Sequence, residues 1–200
     1  METRLRTATL ADAPAINAIH NHYVRTCTCT WQTEPESDEN RVQWLKARGP
    51  AHPVIVAEIG QQVVGWGSLS TYNSRKGWSG TVEDSVFLHP GHQGKGLGKL
   101  ILGDLVRRAE ALGYHSILAR ISGEQLASLR LHESLGFVRM QKFLYPFVQC
   151  EQPAHAEENE GDHEGPEIAF APVTEGPRRT AASLRPVSAE QQQRLVAGVG

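Results

Sequence analysis

Apolar residues recur with a helical period in the first part of the chain. A short strand is predicted at Arg4–Thr7, and the sequence Thr9-Leu10-Ala11-Asp12 resembles the capping box that begins a helix. A second helix is predicted from Asp38 to Ala47, and it ends before Pro50 because proline cannot continue a helix. The first helix places its apolar residues on one face: Ile16, Ile19, Tyr23 and Val24.

Three apolar runs follow, at Val54–Ile59, Val63–Tyr72 and Thr81–Leu88. Gly60-Gln61-Gln62 joins the first two as a hairpin turn would, so the three runs are predicted to be consecutive antiparallel strands. A helix then carries an apolar stripe and ends at Gly113. The stripe consists of Leu97, Ile101, Leu105, Ala109 and Leu112.

The next elements are predicted to be a strand at His115–Ile121, a helix at Glu124–Leu135 and a strand that begins at Phe137. A crossover therefore lies on each side of the fifth strand. This order predicts an α/β (α+β) fold, with a mixed, mostly antiparallel sheet that is covered by helices on both faces.

Composition changes near residue 150 of the 200 residues. Residues 1–150 contain 13 acidic and 16 basic residues, a net charge of +3, whereas residues 151–200 contain 9 and 4, a net charge of −5. Proline and glycine recur in the second part and periodicity is lost. We therefore predict one domain at 1–150 and a disordered acidic tail at 151–200.

Bulk properties disfavour several classes of protein. The net charge of −2 is not that of a nucleic-acid-binding protein, and no apolar run is long enough for a membrane span. The start of the chain does not resemble a signal peptide, so a cytoplasmic protein is expected. The three cysteines, Cys27, Cys29 and Cys150, form no C-x-x-C pair, which argues against a disulfide framework or a structural zinc site.

A glycine-rich turn, Gln93-Gly94-Lys95-Gly96-Leu97-Gly98, lies between a predicted strand and a predicted helix. Glycines let backbone N–H groups approach a ligand, and a helix N-terminus favours negative charge, so the turn is a candidate pyrophosphate site. The phosphate-binding loop of nucleotide hydrolases requires glycine at the position of His89, and the dinucleotide fingerprint requires a different glycine spacing.

The turn resembles the Q/R-x-x-G-x-G/A motif of the GNAT N-acetyltransferases, which grips the pyrophosphate of acetyl-CoA. Further segments are similar to the phosphinothricin and methionine sulfoximine N-acetyltransferases, and together the resemblance covers roughly residues 3–138. Members of that branch continue with two more strands that contain a K-F-G-R-W-x-D-like stretch, and this stretch does not occur after Arg139, so the C-terminal strands have diverged or the reading frame has changed. The matching segments are Asn21–Val24, Thr33–Pro35, Thr81–Val86, His89–Gly98 and Leu131–Phe137.

The resemblance implies the GNAT acyl-CoA N-acyltransferase fold, acetyl-CoA as cosubstrate, no metal and direct acetyl transfer to an amine. Glu83 stands at the position of the catalytic base, which must deprotonate the amine, although an edge-strand or salt-bridged carboxylate is the alternative. His132 stands where many relatives carry the tyrosine that protonates the departing thiolate, although a structural role on the helix is the alternative. The implied acetyl-CoA contacts are Val86, Phe87, Leu88, Gln93, Gly94, Lys95, Gly96, Leu97, Gly98, Lys99, Gln125 and Ser134.

The resemblance also implies a small amino-acid-like acceptor and a homodimer. Arg75 resembles the arginine that would hold the acceptor's carboxylate, although a solvated loop is the alternative. Trp31, Tyr72 and Trp78 fall at positions expected for aromatic pocket residues. A protein N-terminus or a polyamine as acceptor, and a CoA-binding module without catalysis, are the competing hypotheses.

Overall fold

The computed structural model describes residues 3–122, 125–142 and 166–172. Four helices and seven strands lie in these ranges, together with short 3-10 turns. The helices are α1 (Ala13–Thr26), α2 (Asp38–Lys46), α3 (Leu97–Ala111) and α4 (Leu126–Glu133). The strands are β1 (Thr3–Thr7), β2 (Val54–Ile59), β3 (Gln62–Thr71), β4 (Thr81–Leu88), β5 (Ser116–Ser122), β6 (Val138–Lys142) and β7 (Pro166–Pro172).

The strands form one sheet with the order β1-β2-β3-β4-β5-β7-β6. Neighbouring strands are antiparallel except β4 and β5, which are parallel and are connected through α3. The predicted mixed, mostly antiparallel sheet is therefore confirmed. The predicted helices and the first five strands agree with the structure to within a few residues.

A hydrophobic core lies on each face of the sheet. On one face α1 and α2 pack through Ile16, Ile19 and Leu45 against Val56 and Trp66. On the other face α3 and α4 pack against the opposite sides of the same strands, through residues that include Ile101, Leu105 and Leu129. The prediction of helices on both faces is thus confirmed, and it explains why β2 is a continuous apolar run, since both of its sides are covered.

The strand β7 is not predicted from the sequence, because residues 151–200 are predicted to form a disordered tail. Pro166–Pro172 pairs with β5 on one side and with β6 on the other. Ile168 and Phe170 alternate with alanines as in a strand, and the flanking prolines are tolerated at strand ends. Because the neighbouring residues are acidic and rich in proline, the composition of this region does not indicate a strand. The rest of 151–200 lies outside the described residues, and the boundary at 150 stays a prediction.

Within the described part of the chain, none of the helices combines the length and the apolar character required to span a membrane.

Candidate active site

The parallel pair β4 and β5 separates before either strand ends. Their pairing covers only Thr81–Glu83 of β4 and Ser116–Leu118 of β5. Beyond Glu83, β4 continues to Leu88 while β5 continues to Ser122 without a ladder between them. Backbone groups along this edge of β4 are therefore available to an extended ligand, which could add to the strand by hydrogen bonding.

A cleft of about 720 Å³ includes this separation. It extends from the glycine-rich turn at the start of α3, past the ends of β4 and β5, to a region beneath α1 and α2. Two partners can therefore approach each other at Glu83, one along the β4 edge and one from the α1–α2 side.

The glycine-rich turn is shaped to receive a ligand at the N-terminus of α3. Gly94 and Gly96 have φ angles of 72° and 79°, in the left-handed region that only glycine adopts without strain. No atom lies within 4 Å of a Cβ placed at either residue, so the backbone faces open space. Gly96 is the N-cap and provides no side-chain cap, which leaves the first N–H groups of α3 for an anion.

Most of the predicted acetyl-CoA contacts line this cleft. Gln93 also donates through Nε2 to the Tyr23 hydroxyl at 2.7 Å, which fixes the turn against α1. Three predicted contacts are not among the lining residues: Lys95 donates to the Gly91 carbonyl at 2.9 Å, Leu97 is buried in the core, and Ser134 donates to the Leu131 carbonyl. Those that line the cleft are Val86, Phe87, Leu88, Gln93, Gly94, Gly96, Gly98, Lys99 and Gln125.

Strand register determines which side of the sheet each polar residue occupies. Glu83 pairs with Ser70 on β3 and with Leu118 on β5, so its side chain lies on the α1–α2 face. Asp84, the next residue, lies on the opposite face beneath α4, where it contacts His132. The two neighbouring carboxylates therefore point in opposite directions, because side chains alternate along a strand.

Glu83 forms a bidentate ion pair with Arg120 of β5. The Arg120 Nε atom donates to Oε1 at 2.6 Å and Nη2 donates to Oε2 at 2.9 Å. The side chain of Arg120 is 53% exposed and that of Glu83 is 15% exposed, so the pair lies at the wall of the cleft. Sequence reasoning does not identify Arg120, because the pairing depends on the register between two strands that are distant in sequence.

His132 forms a buried pair with Asp84, at 3.2 Å from Nε2 to Oδ2, and its Nδ1 lies 2.7 Å from the Ser128 carbonyl. Burial alone lowers the pKa of His132, but the hydrogen bond and charge of Asp84, together with the Ser128 carbonyl, outweigh it and raise that pKa. Both ring nitrogens face acceptors, which fits an imidazolium. His132 lines the cleft, but donation to a thiolate would require it to break one of these bonds.

Three of the four predicted substrate residues do not line the cleft. Arg75 is exposed on the loop before β4, and Tyr72 and Trp78 contact each other edge to face with ring centroids 5.1 Å apart. Trp31 lines the cleft in a left-handed conformation, with φ 57°. Arg75, Tyr72 and Trp78 lie on or beside the β3–β4 loop and are not among the residues that line the cleft, so their assignment to the substrate wall stays a prediction.

Several residues that were not predicted from the sequence line the cleft beneath α1 and α2. Arg41 pairs with Glu36 at 2.6 Å, and the Arg48 guanidinium lies 4.5 Å from the centroid of a Trp44 ring. Burial, with the charge of Arg41, lowers the pKa of His20 to about 4, so this imidazole is neutral at pH 7. The helical period could have placed Arg41, Trp44 and Arg48 on one side of α2 and the turn after it.

Cys27 and Cys29 form a disulfide where α1 gives way to a 3-10 turn, and Cys29 lines the cleft. The number and spacing of the cysteines argue against a disulfide framework, so this short bridge corrects that prediction. The turn at Thr28–Thr30 brings the two Cα atoms within 5.4 Å, a separation that a disulfide spans.

Residues 16–137 match the model of the acetyltransferase (GNAT) family, and the chain belongs to that family. It is therefore an acetyltransferase. The region matched extends from within α1 to the residue before β6 and contains the β4–β5 separation and the glycine-rich turn.

Two curated relatives and one solved structure show which members of the family are similar to this chain. An L-amino acid N-acyltransferase of Escherichia coli is 42% identical over 135 residues, which are 67% of this chain and 78% of that protein. An L-methionine sulfoximine/L-methionine sulfone acetyltransferase of Salmonella typhimurium is 41% identical over 134 residues, 66% and 78% of the two chains. The structure of a phosphinothricin acetyltransferase of Sinorhizobium meliloti in complex with acetyl-CoA has a TM-score of 0.76 and 29% sequence identity. The alignment covers 88% of this chain and 91% of that chain.

Proposed function

We propose that the protein transfers the acetyl group of acetyl-CoA to the amino group of a small amino-acid-like acceptor. The observation that carries the proposal is one cleft in which an open strand edge leads from a glycine-rich helix N-terminus to a carboxylate, Glu83, and the region beneath α1 and α2 reaches the same carboxylate. The relatives named above act on substrates of this class.

The residues present fit acetyl-CoA. Gly94 and Gly96 leave space for a pyrophosphate against the first N–H groups of α3, and Lys99 adds a positive charge at that end of the cleft. The edge of β4 from Ser85 to Leu88 would hold an extended pantetheine arm by backbone hydrogen bonds. Acetyl-CoA would supply the activated acyl group, which the residues of this strand would hold on the side of the cleft that reaches Glu83.

Glu83 is proposed to take the proton of the acceptor's ammonium group, because only the neutral amine can attack the thioester. A backbone N–H of β4 would stabilise the negative charge that develops on the thioester oxygen. The roles of Asp84 and His132 are then to hold α4 against β4, since their buried pair joins these two elements.

The charges beneath α1 and α2 favour an acceptor that carries an anionic group. Three arginines, Arg41, Arg48 and Arg120, and two glutamates, Glu36 and Glu83, line this part of the cleft. A polyamine would place several positive charges among these arginines and is therefore disfavoured. A protein N-terminus lacks the adjacent carboxylate and would leave the excess positive charge unbalanced.

A thiol-release assay with acetyl-CoA tests the proposal. We expect turnover with L-methionine sulfoximine or L-phosphinothricin, and much slower turnover with spermidine or with a peptide that has a free N-terminus. Tight acetyl-CoA binding without turnover of any amine would instead support the hypothesis of a non-catalytic CoA-binding module.

Replacement of Glu83 by Gln tests the assigned base. We expect kcat to fall by about 10²- to 10⁴-fold, the usual contribution of a general base, with little change in the Kd for acetyl-CoA measured by calorimetry. Glu133→Gln is the matched control, because Glu133 pairs with Arg139 on the exposed side of α4 and does not line the cleft. Unchanged turnover in Glu83→Gln would remove Glu83 from this role.

A further inference from the structure

The ion pair between Glu83 and Arg120 occupies the point at which the acceptor's amine must arrive. We propose that Arg120 binds the acceptor's carboxylate and, in doing so, releases Glu83 to accept the proton of the amine. This inference rests on the proposed function and extends it, because it assigns the residue that selects α-amino acids from other amines.

The geometry of the pair supports an exchange of partners. Both Glu83 oxygens accept hydrogen bonds from the guanidinium, at 2.6 and 2.9 Å, yet the proton of an amine must reach one of them. Arg120 is 53% exposed and extends from the end of β5 that has separated from β4, whereas Glu83 is held in the paired part of β4. Arg120 is therefore the partner that can move when a competing carboxylate arrives, while Glu83 keeps its position on β4.

An α-amino acid zwitterion is the electrostatic complement of this pair. Its ammonium and carboxylate groups are separated by one carbon, while Glu83 and Arg120 present a negative and a positive group in direct contact. A zwitterion that inserts between them replaces one ion pair by two, with its carboxylate on the guanidinium fork and its ammonium on Glu83. An amine without the carboxylate must instead compete with Arg120 for Glu83.

The other arginines of the cleft are placed differently. Arg41 is paired with Glu36, and Arg48 donates to the Leu69 carbonyl at 3.3 Å and lies over Trp44. Among the described residues, neither forms a hydrogen bond or an ion pair with Glu83. A carboxylate bound by either would not necessarily bring its α-amine to Glu83, whereas a carboxylate on Arg120 would.

A comparison of two acceptors tests the proposal. L-Methionine sulfone and its α-carboxamide differ only in the group that Arg120 would bind, and both are assayed for kcat/KM and, with CoA present, for Kd by calorimetry. We expect Arg120→Gln to lower the preference for the acid over the amide by about 10- to 100-fold, the effect of a lost hydrogen bond to a charged group. Arg120→Lys keeps the charge without the fork, so it should retain part of the preference.

Two further variants make the result specific. Arg107→Gln removes an exposed arginine of α3 that pairs with Asp104 outside the cleft, and it should leave the preference unchanged. Arg48→Gln tests the rival position: a lost preference in this variant, with an unaltered preference in Arg120→Gln, would overturn the proposal. A purely structural role of Arg120 would lower turnover of acid and amide equally, and that outcome also overturns it.

Failure of the role proposed for Arg120 can be distinguished from failure of the proposed acceptor class. If the wild-type protein acetylates the acid and the amide with similar kcat/KM, the role of Arg120 is refuted while the acetyltransferase activity stands. If it neither binds nor acetylates either compound, the proposed acceptor class is refuted and the role of Arg120 with it.

Discussion

Two neighbouring carboxylates, Glu83 and Asp84, have different environments because side chains alternate along β4. Glu83 lies at the cleft wall beside Arg120, and Asp84 is buried against His132. The side chains of His132 and Asp84 are only 4% and 2% exposed, so removal of one partner leaves the other without its hydrogen bond in the interior. We therefore expect Asp84 to contribute to stability and Glu83 to contribute to catalysis.

Asp84→Asn should change how stability depends on pH. In the wild type the pKa of His132 is raised above its ordinary value of 6.5, so its contribution is fully present below pH 6.5 and is lost as the pH rises through the raised pKa. In Asp84→Asn burial dominates and lowers that pKa, so the His132 contribution to stability should instead increase with pH. Below pH 6.5 the free energy of unfolding should be lower in the variant by about 1–3 kcal/mol.

Urea denaturation over this pH range measures the effect. Glu83→Gln is the matched control, since it removes the adjacent carboxylate from the other face and should leave the His132 contribution intact. Parallel pH dependences for the wild type and Asp84→Asn would show that His132 does not hold its proton through Asp84.

The site could be predicted from sequence only where a single segment determines it. The alternation within β4 places Glu83 and Asp84 on opposite faces, and the glycine spacing identifies the turn before α3. Arg120 could not be found in this way, because its pairing with Glu83 depends on the β4–β5 register. Arg75 is predicted from the family resemblance, and whether it reaches an acceptor depends on the conformation of the β3–β4 loop, which no periodic pattern in the sequence encodes.

The turn that begins α3 combines two requirements on glycine. A positive φ angle demands glycine at Gly94 and Gly96 whether or not anything binds, and the open space beside them suits a ligand. Gly113, just after α3, also has φ 79° and open space around it, but it does not line the cleft. A comparison of Gly96 with Gly113 can therefore distinguish the effect of backbone strain from the effect of ligand binding.

Gly96→Ala and Gly113→Ala should destabilise the fold to a similar extent, by about 1 kcal/mol each, because both force alanine into the left-handed region. Only Gly96→Ala should also raise the Kd for acetyl-CoA, by about 10-fold or more, since its methyl group enters the space proposed for the pyrophosphate. Thermal unfolding and calorimetry measure the two effects. An equal loss of acetyl-CoA affinity in both variants would show that strain, rather than ligand approach, accounts for the change.

The sheet is completed by β7, which lies in a segment that is predicted from the sequence to be a disordered tail. β7 lies between β5 and β6, and along β5 it forms a continuous register from Ser116 to Ser122. The positions of the first five strands along the chain follow from hydrophobic runs and turns, whereas the insertion of β7 requires pairing across a long stretch of chain. Local patterns do not specify such non-local pairing, so the sequence predicted β1 to β5 better than the far edge of the sheet.

A chain that ends after residue 150 should therefore be less stable than a chain that ends after Pro172. The shorter chain loses β7, which leaves β6 without a described partner and exposes the edge of β5 beside the cleft, whereas the longer chain retains every described pairing. An unpaired, largely apolar edge favours association with other chains, so the shorter form should unfold at lower temperature and aggregate. Differential scanning calorimetry and light scattering compare the two forms with the full chain. Equal stability of the two truncated forms would show that β7 is not required to complete the sheet, and the domain would then end near residue 150 as its composition predicts.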